Sequence, residues 1–303
     1  MIAALSGLGS AALAVGQEGK SADQATDAEE IARVEKLAHD AGLGPLHNAQ
    51  SPHFLAVGDA PESHLHQALD ICEALGQAFL VHFRACGFTV AYPVGRRLTM
   101  IVLGNKDSYA ALLGEAPDKD VGGHYDRETN RLVIFDFRPR QEAIADQAAV
   151  VKNLFTLVHE TAHQLSFNTG FLNRQADVPV CVSEGLATYV ELWQPGVKNA
   201  IGGVNQPRMN ALRQAEDWIQ IEDLLADDSA FEPKTAQLAY AESWLLVHYL
   251  LRAKSRQRFR HYLAGLPGLN KPADRTKIAD KTLGPLAKLD HEIKDEARKY
   301  LRG

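Results

Sequence analysis

Val151, Leu154, Phe155, Val158, Ala162 and Leu165 recur at the three- and four-residue spacing of an α-helix, and His159, Glu160 and His163 break into that apolar series. Such a stripe commits the segment to a helix that packs into an interior. Two imidazoles and a carboxylate beside it must then be satisfied inside the fold or put to use, since burying an unpartnered polar group costs roughly 2–7 kcal/mol. The order His159-Glu160-Thr161-Ala162-His163 sets the histidines one turn apart, so both can turn toward a single ion. Glu160 falls on the same side, where it can reach a water at such an ion. In outline this is the site of a zinc hydrolase.

A catalytic zinc takes three protein ligands and keeps a fourth position for water, so an Asp, Glu or His must come from another segment. Pro179 to Trp193 reads as the next helix. Pro179 lies near its start, Val182, Leu186, Tyr189, Val190 and Trp193 form its apolar stripe, and Pro195-Gly196 stops it. Glu184 stands in its first turns. Ser166 to Asp177, with Asn168, Gly170 and Asn173, has loop composition and lets the two helices pack antiparallel, which returns Glu184 toward the metal. Gly185 permits close approach of a neighbouring helix. The competing reading of Glu184 is a solvated carboxylate in the favourable field of a helix N-terminus.

HETAHQL followed by SEGLATYVE resembles the gluzincin metallopeptidases of the MA clan, and is most similar to a bacterial branch known as a domain of unknown function with HETxHQL and SEGLATYxE segments. The resemblance spans about residues 120 to 255. It implies that His159, His163 and Glu184 bind Zn2+ and that Glu160 is the general base. Two departures stand out. Cys181 occupies a position where the aminopeptidase branch commonly has Trp; it shares a helix face with Glu184 and reads either as a small buried hydrophobe or as a neighbour of the metal. Thr188 stands where thermolysin-like members place an Asp, so support of the ligands must differ, and Glu191 on the same face is the candidate to orient a histidine ligand.

A developing oxyanion needs a donor besides the metal. Tyr240, opening the helical segment Tyr240 to Leu251, resembles the tyrosine that serves this role in the aminopeptidase branch, with His248 as a second choice. Tyr240, Trp244, Val247 and Leu251 can equally be one core stripe. Upstream, Gly122 to Asp126 and Arg131 to Asp136 flank a polar Arg127–Asn130 turn and read as a β-hairpin. By resemblance it supplies the edge strand that pairs with an extended peptide substrate. His124 and Tyr125 themselves read as ordinary hairpin residues.

With 303 residues, 46% hydrophobic and 23% charged, the chain can bury one large core. A net charge of −6 argues against nucleic acid as the main partner. The Lys-rich tail from Lys271 is interleaved with Asp274, Asp280, Asp290, Glu292 and Asp295, the pattern of a mixed solvated helix surface. Cys72, Cys86 and Cys181 imply no disulfide framework. Met1 to Val15 is apolar and Ala-rich, and Ala12-Leu13-Ala14 resembles a signal-peptidase site. The segment has no basic start and is too short and Gly-rich to span a membrane. It points to a periplasmic or secreted protein over a cytoplasmic one, with Gln17 to Thr26 as a polar linker.

Asp27–Ala41 reads as a helix, His53–Val57 as a strand and Arg97–Leu103 as another. Ser63–Cys86 reads as a long amphipathic helix with Leu65, Ala68, Ile71, Cys72, Leu75, Phe79 and Val81 on its apolar face. Strands gather before residue 140 and helices after it, an α+β plan. The resemblance refines this to a zincin-like fold, a small mixed sheet with its edge strand over the HExxH helix and a helical C-terminal lobe. After a leader and linker at 1–26, residues 27–303 form a single domain: an α/β part to 140, the active-site helices at 141–195 and the lobe at 196–303. The expected activity is zinc-dependent hydrolysis of peptides or proteins. The alternative is the same scaffold acting on a non-peptide amide or ester, or serving as a binding module without catalysis.

Overall fold

The computed structural model describes residues 26–117, 121–138, 147–198, 200–269 and 272–301. The apolar leader, the linker before Thr26, and Lys271 lie outside the described residues. Among the described residues the chain is α+β, 58% helical, with one small mixed sheet of five strands and a helical C-terminal region. Contacts among the described residues divide them into two compact units, one drawn from those between 26 and 77 and between 92 and 164, the other from 78–91 and those from 165 to 301.

The first unit holds the sheet. Its elements are α1 (Asp27–Asp40), β1 (His47–Gln50), β2 (Phe54–Gly58), the first part of α2 (Glu62–Ala85), β3 (Leu98–Leu103), α3 (Lys106–Leu113), β4 (Gly123–Asp126), β5 (Arg131–Phe135) and most of α4 (Gln147–Asn168). Strand order is β1-β2-β3-β5-β4. β2, β3 and β5 run parallel, while β1 and β4 are antiparallel edges. The three parallel strands are buried throughout and, Thr99 and Arg131 aside, apolar on both faces, as a sheet covered on both sides requires. Val34, Leu55, Val57, Ile101, Leu103, Val133 and Phe135 form one core cluster with Tyr109 and Leu112 of α3. Each large side chain buried there contributes about 1.5–3 kcal/mol.

Polar residues set how these elements begin and turn. Thr26 and Glu29 close a capping box at the start of α1. Glu30 takes a two-pronged bond from Arg131, at 2.7 and 3.2 Å, tying α1 to β5. In the β4–β5 turn Asn130 adopts φ 60°, a left-handed conformation that Asn tolerates, and its Oδ1 accepts the Tyr125 hydroxyl at 2.7 Å. The hairpin expected from the sequence is present.

The second unit comprises the end of α2, the end of α4, and α5 (Val180–Val190), α6 (Gln206–Gln214), α7 (Ile221–Ala226), α8 (Ala236–Leu250), α9 (Arg256–Gly265), α10 (Arg275–Leu283) and α11 (Leu286–Leu301). Phe171 is ringed by aromatic side chains, with Phe83 and Phe88 at 4.6 Å between centroids and Phe79 at 6.3 Å. α8 is buried on nearly every side and packs along α5. No helix among the described residues is long and apolar enough to cross a membrane.

Two apolar positions face the other way from the expected stripes. Val81 is 57% exposed; continuing the helical phase of Leu65, Leu69, Cys72 and Phe79 brings Leu80 and Phe83 inward instead. Val151 is 50% exposed, and Leu154 and Phe155 are half-buried, so α4 becomes an interior helix only from Leu157 onward. Ser166 and Asn168, expected in the loop, are the last turn of α4.

Candidate metal centre

α4 is seated on the sheet by its polar residues as much as by its apolar ones. Asn153 accepts the Phe137 amide at 3.0 Å and donates to Asp136 at 2.6 Å. Further along, the Thr161 hydroxyl meets the buried Cys72 thiol at 3.2 Å, and Gln164 Nε2 donates to the Thr99 carbonyl of β3 at 2.9 Å. Burial pushes the Cys72 thiol up to about 12, so it remains a neutral partner. These bonds fix the rotation of α4 and hence where its intervening residues point. His159 and His163 are both buried, their rings 5.0 Å apart and steeply inclined to each other at 78°. Glu160, also buried, accepts the backbone N–H of Tyr125 on edge strand β4 at 2.9 Å.

α5 is fixed at both ends and along its flank. Its first turn lacks a side-chain cap of its own, and Asp228 supplies one by accepting the Val180 N–H at 3.0 Å. Arg275 holds Asp228 in turn, bridging it to Asp177. At the other end the Asn205 side chain donates to the Thr188 carbonyl at 3.1 Å. Val182, Leu186 and Val190 are fully buried, and Gly185 lies against α8, where an added Cβ would stand 2.5 Å from both the Ser243 carbonyl oxygen and a Val247 methyl. Glu184, beside Gly185, is buried at 4% exposure, so it is not a solvated terminal carboxylate.

Among the described residues one set of side chains could hold a metal ion: His159, His163 and Glu184, all buried, with ligating atoms within 4.8 Å of one another. Two imidazoles and one carboxylate are a donor set that suits zinc and other first-row divalent ions alike. The three residues singled out by their motifs are thus brought together. Cys181 is not in this set; burial raises its thiol pKa well above the ordinary value, so it behaves as a small apolar side chain.

The other expected site residues fall as follows. Glu191 is engaged on both oxygens by Arg208, at 2.9 Å each, and by Asn205 at 2.6 Å. Burial works against the Arg208 charge, but the ion pair with Glu191 overrides it and the guanidinium pKa is raised, with Tyr240 and Glu184 adding to the effect. Tyr240 is buried at 1% exposure, its ring edge-on to Phe231 and 5.2 Å below the Arg208 guanidinium. Trp244, Val247 and Leu251 are buried along the same helix, so the core stripe is real whatever else Tyr240 does. His248 meets the Tyr300 hydroxyl at 3.2 Å and stacks near Trp244. His124 contacts the Tyr109 hydroxyl at 2.7 Å, an ordinary structural role.

Arg208, Asn205 and Gln164 went unnoticed in the sequence. Asn205 ahead of Gln206-Pro207 is a legible helix start, and its side chain does accept the Arg208 N–H. An arginine in a first helical turn gives no sign that it will be buried.

The chain is thus an α+β protein in which two buried histidines and a buried glutamate could hold a metal ion. Over residues 153–269 the chain matches a family model described as "Protein of unknown function (DUF1570)". That span is less than half the chain and contains His159, Glu160, His163, Glu184, Arg208 and Tyr240. No curated protein matches the chain.

Proposed function

We propose that this chain is a zinc-dependent hydrolase of the gluzincin type, acting on peptide bonds. The observation that carries the reading is the convergence of His159, His163 and Glu184 beside a carboxylate, Glu160, that is held by an edge-strand amide. His159, His163 and Glu184 would hold Zn2+. When bound, zinc supplies Lewis acidity, polarising a carbonyl and lowering the pKa of water.

The chain's own residues account for the remaining chemistry. Glu160 takes a proton from the attacking water and returns it to the leaving amine. The Tyr125 N–H on one carboxylate oxygen fixes the orientation of the group that performs both transfers. Among the described residues β4 is an edge of the sheet, paired with β5, and an extended peptide can add to such an edge by backbone hydrogen bonds. Tyr240 serves as the donor to negative charge developing on the substrate oxygen.

Metal analysis of wild type and Glu160→Gln, paired with cleavage of a broad peptide library, tests this reading. One zinc per chain in both proteins, with cleavage by wild type and a loss of at least about a hundredfold in Glu160→Gln, is the expected result. Zinc in both and cleavage by neither would move the assignment to a non-peptide substrate or a binding module. Failure of either to take up zinc after repletion would end it.

A further inference from the structure

Arg208 is bonded to Glu191, lies over the Tyr240 ring, and is close enough to Glu184 for that carboxylate to favour its charge. It lies in the first turn of α6, 4% exposed, where an arginine is costly unless every donor is used. Glu191 takes it in a two-pronged grip, and Asn205 fastens Glu191 from the same helix that carries Arg208. Glu191 and Glu184 are two turns apart on one face of α5. The guanidinium carbon of Arg208 lies over the Tyr240 ring, 5.2 Å from its centroid. If neutralising Glu191 were its sole task, an apolar pair of similar volume would stabilise this interior as well or better.

We infer that Arg208 is a positioning residue of the proposed site: clamped by Glu191, which Asn205 holds in turn, it fixes the ring of Tyr240 and sets a fixed positive charge over that ring. The inference rests on the reading of Tyr240 as the donor to the developing oxyanion. A planar cation over an aromatic face restricts the ring's tilt and strengthens the phenol as a donor to negative charge. Lysine can supply the charge but neither the two-pronged bond nor the flat contact.

Two variants separate this role from simple charge compensation. Arg208→Lys keeps the charge. The double variant Glu191→Gln/Arg208→Gln removes both charges of the pair at once. Each is compared in the wild-type and Tyr240→Phe backgrounds, by steady-state kinetics and by carbon NMR of the metal-free chain labelled at the tyrosine ring carbon bearing oxygen. Tyr240→Phe identifies the Tyr240 signal among the eight tyrosines. The expected result is a shift of that signal in both variants and a fall in kcat of roughly tenfold or more with KM little changed. In the Tyr240→Phe background the same substitutions should add almost nothing, because the two residues act as a unit.

An unmoved Tyr240 signal, or an equal loss of kcat with and without the Tyr240 hydroxyl, overturns the inference while the hydrolase stands. A wild-type chain that binds zinc and turns over no peptide removes the peptide-hydrolase reading itself, and the positioning role with it.

Discussion

Gly185 shows how little a single position can hide once its neighbours are known. Beside a ligand it reads as a helix-weakening choice, yet the gap to α8 at that point has no room for a methyl. Gly185→Ala is expected to destabilise the chain by about 1–3 kcal/mol, since the nearest obstacle is backbone and cannot rotate away. Urea unfolding of the variant checks this, and a midpoint equal to wild type would mean α5 and α8 are further apart than they stand here. His159, Glu160, His163 and Glu184 could be picked out from sequence because their spacing is their chemistry. Arg208 could not, since its meaning comes from Glu191 and Tyr240, which chain contacts rather than spacing bring to it.

Among the elements, α8 carries a titration of its own. Burial pushes the Glu242 carboxyl up from 4.5 to about 8, opposed in part by the Ile219 amide and Lys294, and its Oε2 is buried without a hydrogen-bond partner. Burial likewise lowers His248 from 6.5 to about 4, with Arg252 adding to the shift. Near neutrality both groups are uncharged. As pH rises above 4.5 the unfolded chain releases a proton that the folded chain keeps on Glu242, so stability falls until about pH 8. As pH drops below 6.5 the unfolded chain gains a proton that folded His248 refuses, so stability falls in that direction too. The two slopes offset each other below 6.5, leaving Glu242 alone above it.

Wild type is therefore expected to lose about 2 kcal/mol between pH 6.5 and 8 relative to Glu242→Gln, with chemical denaturation at the two pH values as the measure. Parallel curves for the two proteins would place Glu242 in a wetter setting than its burial indicates. The elements themselves were largely legible, because alternation and helical periodicity are local. α1, β3, the β4–β5 hairpin and α5 lie within a few residues of where the pattern puts them. The outward turn of Val151 was not legible, for an apolar residue at a helix end obeys the same period whether or not anything covers it; that of Val81 was, since it stands two residues from Phe79 and cannot share its helix face.

For the whole molecule, sheet order and unit boundaries were beyond reach of a linear reading. β5 slots between β3 and β4, and both units are assembled from separated stretches of chain. If the proposed centre takes zinc, the ion binds the folded chain and not the unfolded one. Free zinc at about a hundred times its dissociation constant should then add about 2.7 kcal/mol of stability. Thermal unfolding with zinc and with chelator measures it, and Glu184→Gln should reduce the difference sharply. An identical transition in zinc and chelator would count against the centre.

The boundaries of the matched segment, 153–269, coincide with neither compact unit. Phe171 lies inside it, while Phe79, Phe83 and Phe88, which close around that ring, lie outside. Thr99, which anchors Gln164, and Tyr125, which orients Glu160, lie outside as well. Expressed alone, that segment would present the Phe171 side of an aromatic seam to solvent, and moved alone into another chain it would carry His159, Glu160, His163 and Glu184 without the walls that aim them.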